Sequence, residues 1–275
     1  MVTIYGNGTE ISLRALMNNI QIYNKVDIKN KIIILVTGTT IEPYDSNWKE
    51  CANTWIPELK KLGYNVKVAI GNPELEHYYK DDGDIIWFKA EDTKRGLYDK
   101  SIRLPIDWIL AETDYHFYFR IDSDSFVEPK RFDEMMENVL GNFPNLDYFG
   151  CCHPANKTNP FDSFQYYACK YANFASGCAY FVSRKSMKIA QQKMRIDEPV
   201  DYEIDDWVLG RAMWENGVTL LHDSRILFES PYKQLSDDPG NMGLPYIGDP
   251  NSHLAIQHYL NGHMEEAMIN LGYRN

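Results

Sequence analysis

No stretch of eighteen apolar residues occurs in the chain, so nothing in it reads as a membrane-spanning helix. Positive charge is scarce. Lys and Arg number 28 against 39 Asp and Glu, a formal net charge of −11. A surface that negative repels phosphate backbones, which argues against a nucleic-acid partner. An anionic ligand would need a local cation, and that points towards a metal. Cysteine is scarce and odd in number, with Cys51, Cys151, Cys152, Cys169 and Cys178. An odd count with one adjacent pair is a poor disulfide framework, and no CxxC pair or zinc-spaced Cys/His cluster appears. The thiols read as small buried hydrophobes in a reducing compartment. The first nineteen residues lack a basic segment followed by an apolar one, so no secretory signal and a cytoplasmic location are expected. Sequons at Asn7 and Asn156 would matter only in a secreted chain. Repeats and low-complexity segments are missing too.

What is present is an ordinary globular balance: 275 residues, 44% hydrophobic and 24% charged. Disorder, collagen and coiled coil are excluded for the chain as a whole. The length suits one large domain or two fused halves with a substantial core. Aromatics reach 13%, including 19 Tyr and 6 Trp, which fits deep clefts that stack ring-shaped ligands.

Hydrophobic period orders the chain. Ile11, Leu16, Ile20 and Tyr23 are spaced for a short amphipathic helix. Ile32 to Val36 is a continuous β-branched run, as a buried parallel strand requires. Thr37-Gly38-Thr39-Thr40 is a small-residue turn at its carboxyl end, the edge where open α/β sheets bind ligands. A helix is expected over 45–62, stopped by Gly63 and kinked or split by Pro57. Strands follow over 65–70 and 84–89, a helix over 93–110 interrupted near Pro105, and an aromatic strand over 115–121. Further on the pattern predicts a helix over 130–140, strands over 147–152 and 174–183, a helix over 205–216 and a strand over 218–221. Residues 230–251, rich in Pro, Gly and Asp, read as a long loop before a last strand over 252–260. The alternation argues for an α/β fold with a mostly parallel sheet.

Two acidic groups carry the chemistry. Asp122-Ser123-Asp124 directly follows the aromatic strand, and carboxylates at i and i+2 on an extended strand end project to one side. They could share Mg²⁺ or Mn²⁺ with positions left open for a diphosphate. The plainer alternative is a solvated turn. Asp197, Glu198, Asp201, Glu203, Asp205 and Asp206 form the second group. Most read as a solvated loop favourable to the next helix dipole. Asp205-Asp206 leads into the apolar start Trp207-Val208-Leu209-Gly210, so Asp206 reads either as a general base beside a cleft or as an N-cap.

Four segments in order, over roughly residues 93–221, resemble the fringe and β-1,3-galactosyl/N-acetylglucosaminyl-transferase group of GT-A glycosyltransferases. They are Leu97-Tyr98-Asp99-Lys100-Ser101, Phe119-Arg120-Ile121-Asp122-Ser123-Asp124-Ser125-Phe126-Val127, Ala175-Ser176-Gly177-Cys178-Ala179-Tyr180-Phe181-Val182-Ser183 and Asp205-Asp206-Trp207-Val208-Leu209-Gly210. The resemblance implies a single compact α/β domain of GT-A type, with a Rossmann-like, mostly parallel central sheet and a smaller acceptor-side sheet. It implies an N-terminal segment (1–30), a nucleotide-sugar-binding half (31–126) and an acceptor-binding half (127–275).

The same resemblance implies a nucleoside-diphosphate sugar donor (a UDP-sugar foremost), Mn²⁺ or Mg²⁺, a glycan or glycoprotein acceptor, and inversion at the anomeric carbon of a hexose or pentose. Asp124 would be the main metal ligand. Asp122 would meet the metal through water, or the donor ribose, with Ser123 beside the donor. Asp206 would be the base, Gly177 would border the sugars, Lys100 would sit near the nucleotide, and Thr37 and Gly38 would meet the nucleoside. A C-terminal histidine, His258 or else His253, would complete the metal set, His258 being favoured by its apolar strand. The chain departs from that group at Ser123, where Asp is usual, at Thr113, where Cys is common, and in lacking a membrane anchor; a soluble microbial or viral enzyme fits these departures. Two rival readings remain from the residues: a haloacid-dehalogenase-type phosphohydrolase using Asp122 as nucleophile, and a non-catalytic carbohydrate-binding protein.

Overall fold

The computed structural model describes residues 28–42, 44–93, 96–152, 174–193, 205–227 and 246–274. The helix expected from Ile11 to Tyr23, both sequons, Cys169, the acidic residues 197–203 and most of the loop over 230–251 lie outside them.

An eight-stranded sheet runs through the molecule in the order β3-β4-β2-β1-β5-β8-β7-β9. Its strands are β1 (Ile32–Thr37), β2 (Asn65–Gly71), β3 (Tyr79–Asp82), β4 (Ile85–Phe88), β5 (Phe117–Asp122), β7 (Tyr148–Cys152), β8 (Ala175–Ser183) and β9 (Leu221–His222). The run β4-β2-β1-β5 is parallel; β3 and β8 pair antiparallel. The α/β architecture with a mostly parallel central sheet is therefore as expected. A second, three-stranded sheet has the order β10-β11-β6, from β6 (Phe126–Val127), β10 (Ile226–Leu227) and β11 (Ile256–Gln257).

The apolar run of β1 is explained by two cores. Ile32, Ile34 and Val36 enter one and Ile33 and Leu35 the other, all fully buried. Each such side chain contributes about 2 kcal/mol by leaving water. On the first face pack α1 (Asp45–Asn53), α2 (Trp55–Lys61), α4 (Pro129–Asn142) and α7 (Met264–Asn270). On the second lie α3 (Leu104–Glu112), α5 (Arg184–Lys193) and α6 (Asp205–Glu215).

Several boundaries differ from the sequence reading. The first long helix breaks at Thr54, not at Pro57. The ring of Pro57 would clash with the carbonyl four residues back, Asn53, so the first helix stops there and Pro57 falls in the opening turn of α2, where its missing N–H costs nothing. Thr54 seals the break by donating its hydroxyl to the Glu50 carbonyl at 2.6 Å. The helix expected from Thr93 contains a wide π-helical turn over Asp99–Arg103 before α3, with Pro105 in the first turn of α3. The strands expected over 218–221 and 252–260 shrink to two residues each, and the polar edge strand β3 was not expected: its period carries no apolar face.

Candidate active site

The chain switches direction across β1, with β2 on one side and β5 on the other. The carboxyl edge at that switch is the ligand crevice of an open α/β sheet. There Thr37 is in register with Asp122, the last residue of β5. Ser125 N–H closes a tight turn on the Asp122 carbonyl at 3.1 Å, and the chain re-enters as β6. The small sheet then brings distant sequence to this turn. Phe126 pairs with Gln257, so His258 emerges beside Asp124, and Leu260 N–H donates to the Asp124 carbonyl at 2.9 Å.

His258 Nε2 lies 2.8 Å from Asp124 Oδ1 and 3.7 Å from Asp122 Oδ2. One ligand atom from each of the three lies within 4.8 Å of the others, the one such group among the described residues. The His258 side chain is 7% exposed and both carboxylates 25%, so the cluster is walled yet open to solvent. Two oxygen donors and one imidazole nitrogen suit Mn²⁺ and also accept Mg²⁺. His253 is exposed and stands outside this group. Tyr259, directly after His258, holds φ at 57°, the left-handed region that a tyrosine adopts only under constraint. Behind the turn the buried Cys51 thiol donates to the Ser123 carbonyl at 3.0 Å. Burial pushes that thiol well above its usual pKa, so it stays a donor.

On the neighbouring strand, Gly177 N–H donates to Asp206 Oδ2 at 2.7 Å, while Trp207 N–H donates to Oδ1 at 2.8 Å. Asp206, the second residue of α6, is thereby pinned to β8.

Lys100, Gly38 and Thr37 gather on the other side of Asp122. The Lys100 ammonium is turned inward, 4% exposed, donating to the Gly38 carbonyl at 2.9 Å and to Asp92 Oδ1 at 2.6 Å. Burial pulls its pKa below the ordinary lysine value, against the opposing pull of Asp92. Burial pushes the Asp92 carboxyl up, but hydrogen bonds from Lys100 and from the Thr40 N–H and hydroxyl outweigh it and hold it below the usual range. Gly38 has no room for a side chain: a Cβ would stand 2.8 Å from Val68 Cγ1 and 3.2 Å from Trp48 Cδ1.

Two residues of this edge escaped the sequence reading. Asp92 offers no local signal beyond being a carboxylate near Lys100. Arg120 does: an arginine inside a buried aromatic strand needs a partner. It is 1% exposed and its Nη2 donates to Asp122 Oδ1 at 2.7 Å.

The galactosyltransferase family profile matches residues 53–224, which spans β2 to β9 and takes in Lys100, the aspartate turn, Gly177 and Asp206. The chain belongs to the galactosyltransferase family, a family of glycosyltransferases. Among solved structures, it is similar to a glycosyltransferase involved in glycosylation of the major capsid of PBCV-1, at 13% identity and TM-score 0.45, over 88% of this chain and 99% of that one. It is also similar to an active-site mutant of LgtC, at 11% identity and TM-score 0.43, over 88% and 95%. No curated protein matches. The family sets aside the phosphohydrolase reading. Among the described residues, no helix is long and apolar enough to cross a membrane.

Proposed function

We propose that the protein is a metal-dependent, inverting glycosyltransferase that moves a sugar from a nucleoside-diphosphate sugar, foremost a UDP-sugar, to a hydroxyl of a glycan or glycoprotein acceptor. The observation that carries this is the convergence of Asp122, Asp124 and His258 within 4.8 Å at the carboxyl edge of the sheet, in a chain of this family. Those three residues would hold Mn²⁺ or Mg²⁺, which when bound supplies positive charge for a diphosphate leaving group.

Thr37, Gly38 and Ser123 border the donor's nucleoside end. Lys100 acts there through the Gly38 carbonyl that it holds. Gly177 borders the sugars and fixes Asp206 through its N–H. Asp206 accepts the proton of the acceptor hydroxyl as that oxygen attacks the anomeric carbon. The carbon–oxygen bond to the diphosphate breaks on the opposite face, the electron pair leaves with the diphosphate, and the configuration inverts. Tyr and Trp faces stack on the acceptor ring. The buried free thiols of Cys51, Cys151 and Cys178 support a reducing, cytoplasmic setting.

The test is product formation from nucleotide sugars and glycan acceptors with Mn²⁺ added or chelated. Metal-dependent transfer with an inverted linkage is expected. Donor binding with no turnover under any condition would make it a carbohydrate-binding protein instead.

A further inference from the structure

Arg120 is among the largest fully buried side chains of the described residues. Strand alternation sets it on the same face as Asp122, two residues on, towards the core under α3, α5 and α6. Its guanidinium stands 5.6 Å from the ring centroid of Tyr180, its cross-strand neighbour on β8. One arm, Nη2, donates to Asp122 Oδ1 at 2.7 Å. The other arm reaches the glycine that anchors Asp206: a Cβ built on Gly177 would lie 2.7 Å from Arg120 Nη1 and 3.4 Å from Asp206 Oδ2. The absence of a side chain at position 177 is what lets the fork sit there.

We propose that Arg120 is a positioning residue that ties the cation-binding edge of the site to the edge carrying the base; this rests on the function proposed above. With Oδ1 held by Arg120, Asp122 keeps Oδ2 on the His258 side, 3.7 Å from Nε2, and offers that oxygen to the ion. Asp122 and Asp206 bring two carboxylates to one sheet edge, and the guanidinium buried between their strands offsets their mutual repulsion. A planar fork meets two sides at once; the single ammonium of a lysine does not. Partners that orient a metal ligand from behind are worth about 10–100-fold in metal affinity.

The experiment is a calorimetric titration of Mn²⁺ into the full chain without donor, for wild type, Arg120→Met, Arg120→Lys, Gly177→Ala and the Arg120→Met/Gly177→Ala double variant, with circular dichroism as the folding check. Arg120→Met and Gly177→Ala are each expected to weaken Mn²⁺ about 10-fold or more. Arg120→Lys is expected to recover part of that loss. The double variant is expected to bind Mn²⁺ no worse than Arg120→Met, since the Ala methyl then has no guanidinium to displace. In transfer assays Arg120→Met should lower kcat even at saturating Mn²⁺, because the Asp206 side has lost its tie. Wild-type Mn²⁺ affinity in Arg120→Met, or losses that simply add in the double variant, would overturn the proposal. If Arg120→Met does not fold, an unchanged Mn²⁺ affinity in Gly177→Ala overturns it equally. A wild type that binds no Mn²⁺ sinks the metal-dependent function and this inference with it, so the two failures are read from different proteins.

Discussion

Two buried cations stand at the carboxyl edge of the same sheet, Lys100 beside the end of β1 and Arg120 at the end of β5, 4% and 1% exposed. Each is paired with an aspartate, yet the two pairs differ in what the carboxylate has left to give. Asp92 is surrounded by protein donors: Lys100 on one oxygen, the Thr40 N–H and hydroxyl on the other. Asp122 has one oxygen on Arg120 and the other facing His258 and Asp124. The first pair closes a loop. The second pair leaves an oxygen for a ligand. A buried ion pair is thus not by itself a functional sign; a carboxylate oxygen turned towards other candidate metal ligands is.

Substitutions at the two pairs and at Asp206 should separate their roles, the largest effect falling on catalysis. Asp206→Asn should cut kcat by roughly 10²–10⁴-fold, the usual weight of a general base, with Mn²⁺ affinity kept. Turnover near wild type would remove Asp206 from that role. Asp124→Asn and His258→Ala should each weaken Mn²⁺ beyond the roughly 10–100-fold expected of an outer partner, measured by calorimetry. Lys100→Met should instead act on stability. Breaking a buried pair from one side costs about 3 kcal/mol, read from chemical denaturation, while Mn²⁺ affinity is retained. A stable Lys100→Met that no longer binds the donor would reverse the assignment and make Lys100 a nucleotide ligand.

The smallest effect is in the pH profile. The folded Asp92 carboxyl titrates below its unfolded value, so its contribution is complete above an unfolded pKa of about 3.9 and disappears as pH falls through the lower folded pKa. Thermal unfolding of wild type should therefore lose stability on acidification below about pH 4 more steeply than that of Asp92→Asn. Parallel acid limbs would show that the pair contributes nothing net.

Much of the site could be read locally. Asp122 and Asp124 sit at the end of a buried strand, and that end faces the ligand edge because parallel sheets bind ligands there. The strand over 32–36 was legible because both its faces meet a core, which demands an unbroken apolar run. Gly177 and Asp206 were legible through the resemblance, but their hydrogen bond was not, since 28 residues separate them and no spacing rule spans that distance. The short strands β6 and β10 went unseen because two residues carry no period. Arg120 was in view as one charge in an aromatic run, but what it holds depends on β8.

By itself the order of residues decided which segments are strands and helices over most of the described chain, and which carboxylates end a strand. Those are near-neighbour matters, settled by side-chain period, turn residues and the clash between proline and the helix backbone. Only the folded chain decided that His258 rather than His253 meets the aspartates, that Lys100 faces inward, and that Arg120 reaches both Asp122 and Gly177. Each of these depends on strands far apart in sequence lying side by side, where distances of a few ångströms set the strength of every charge.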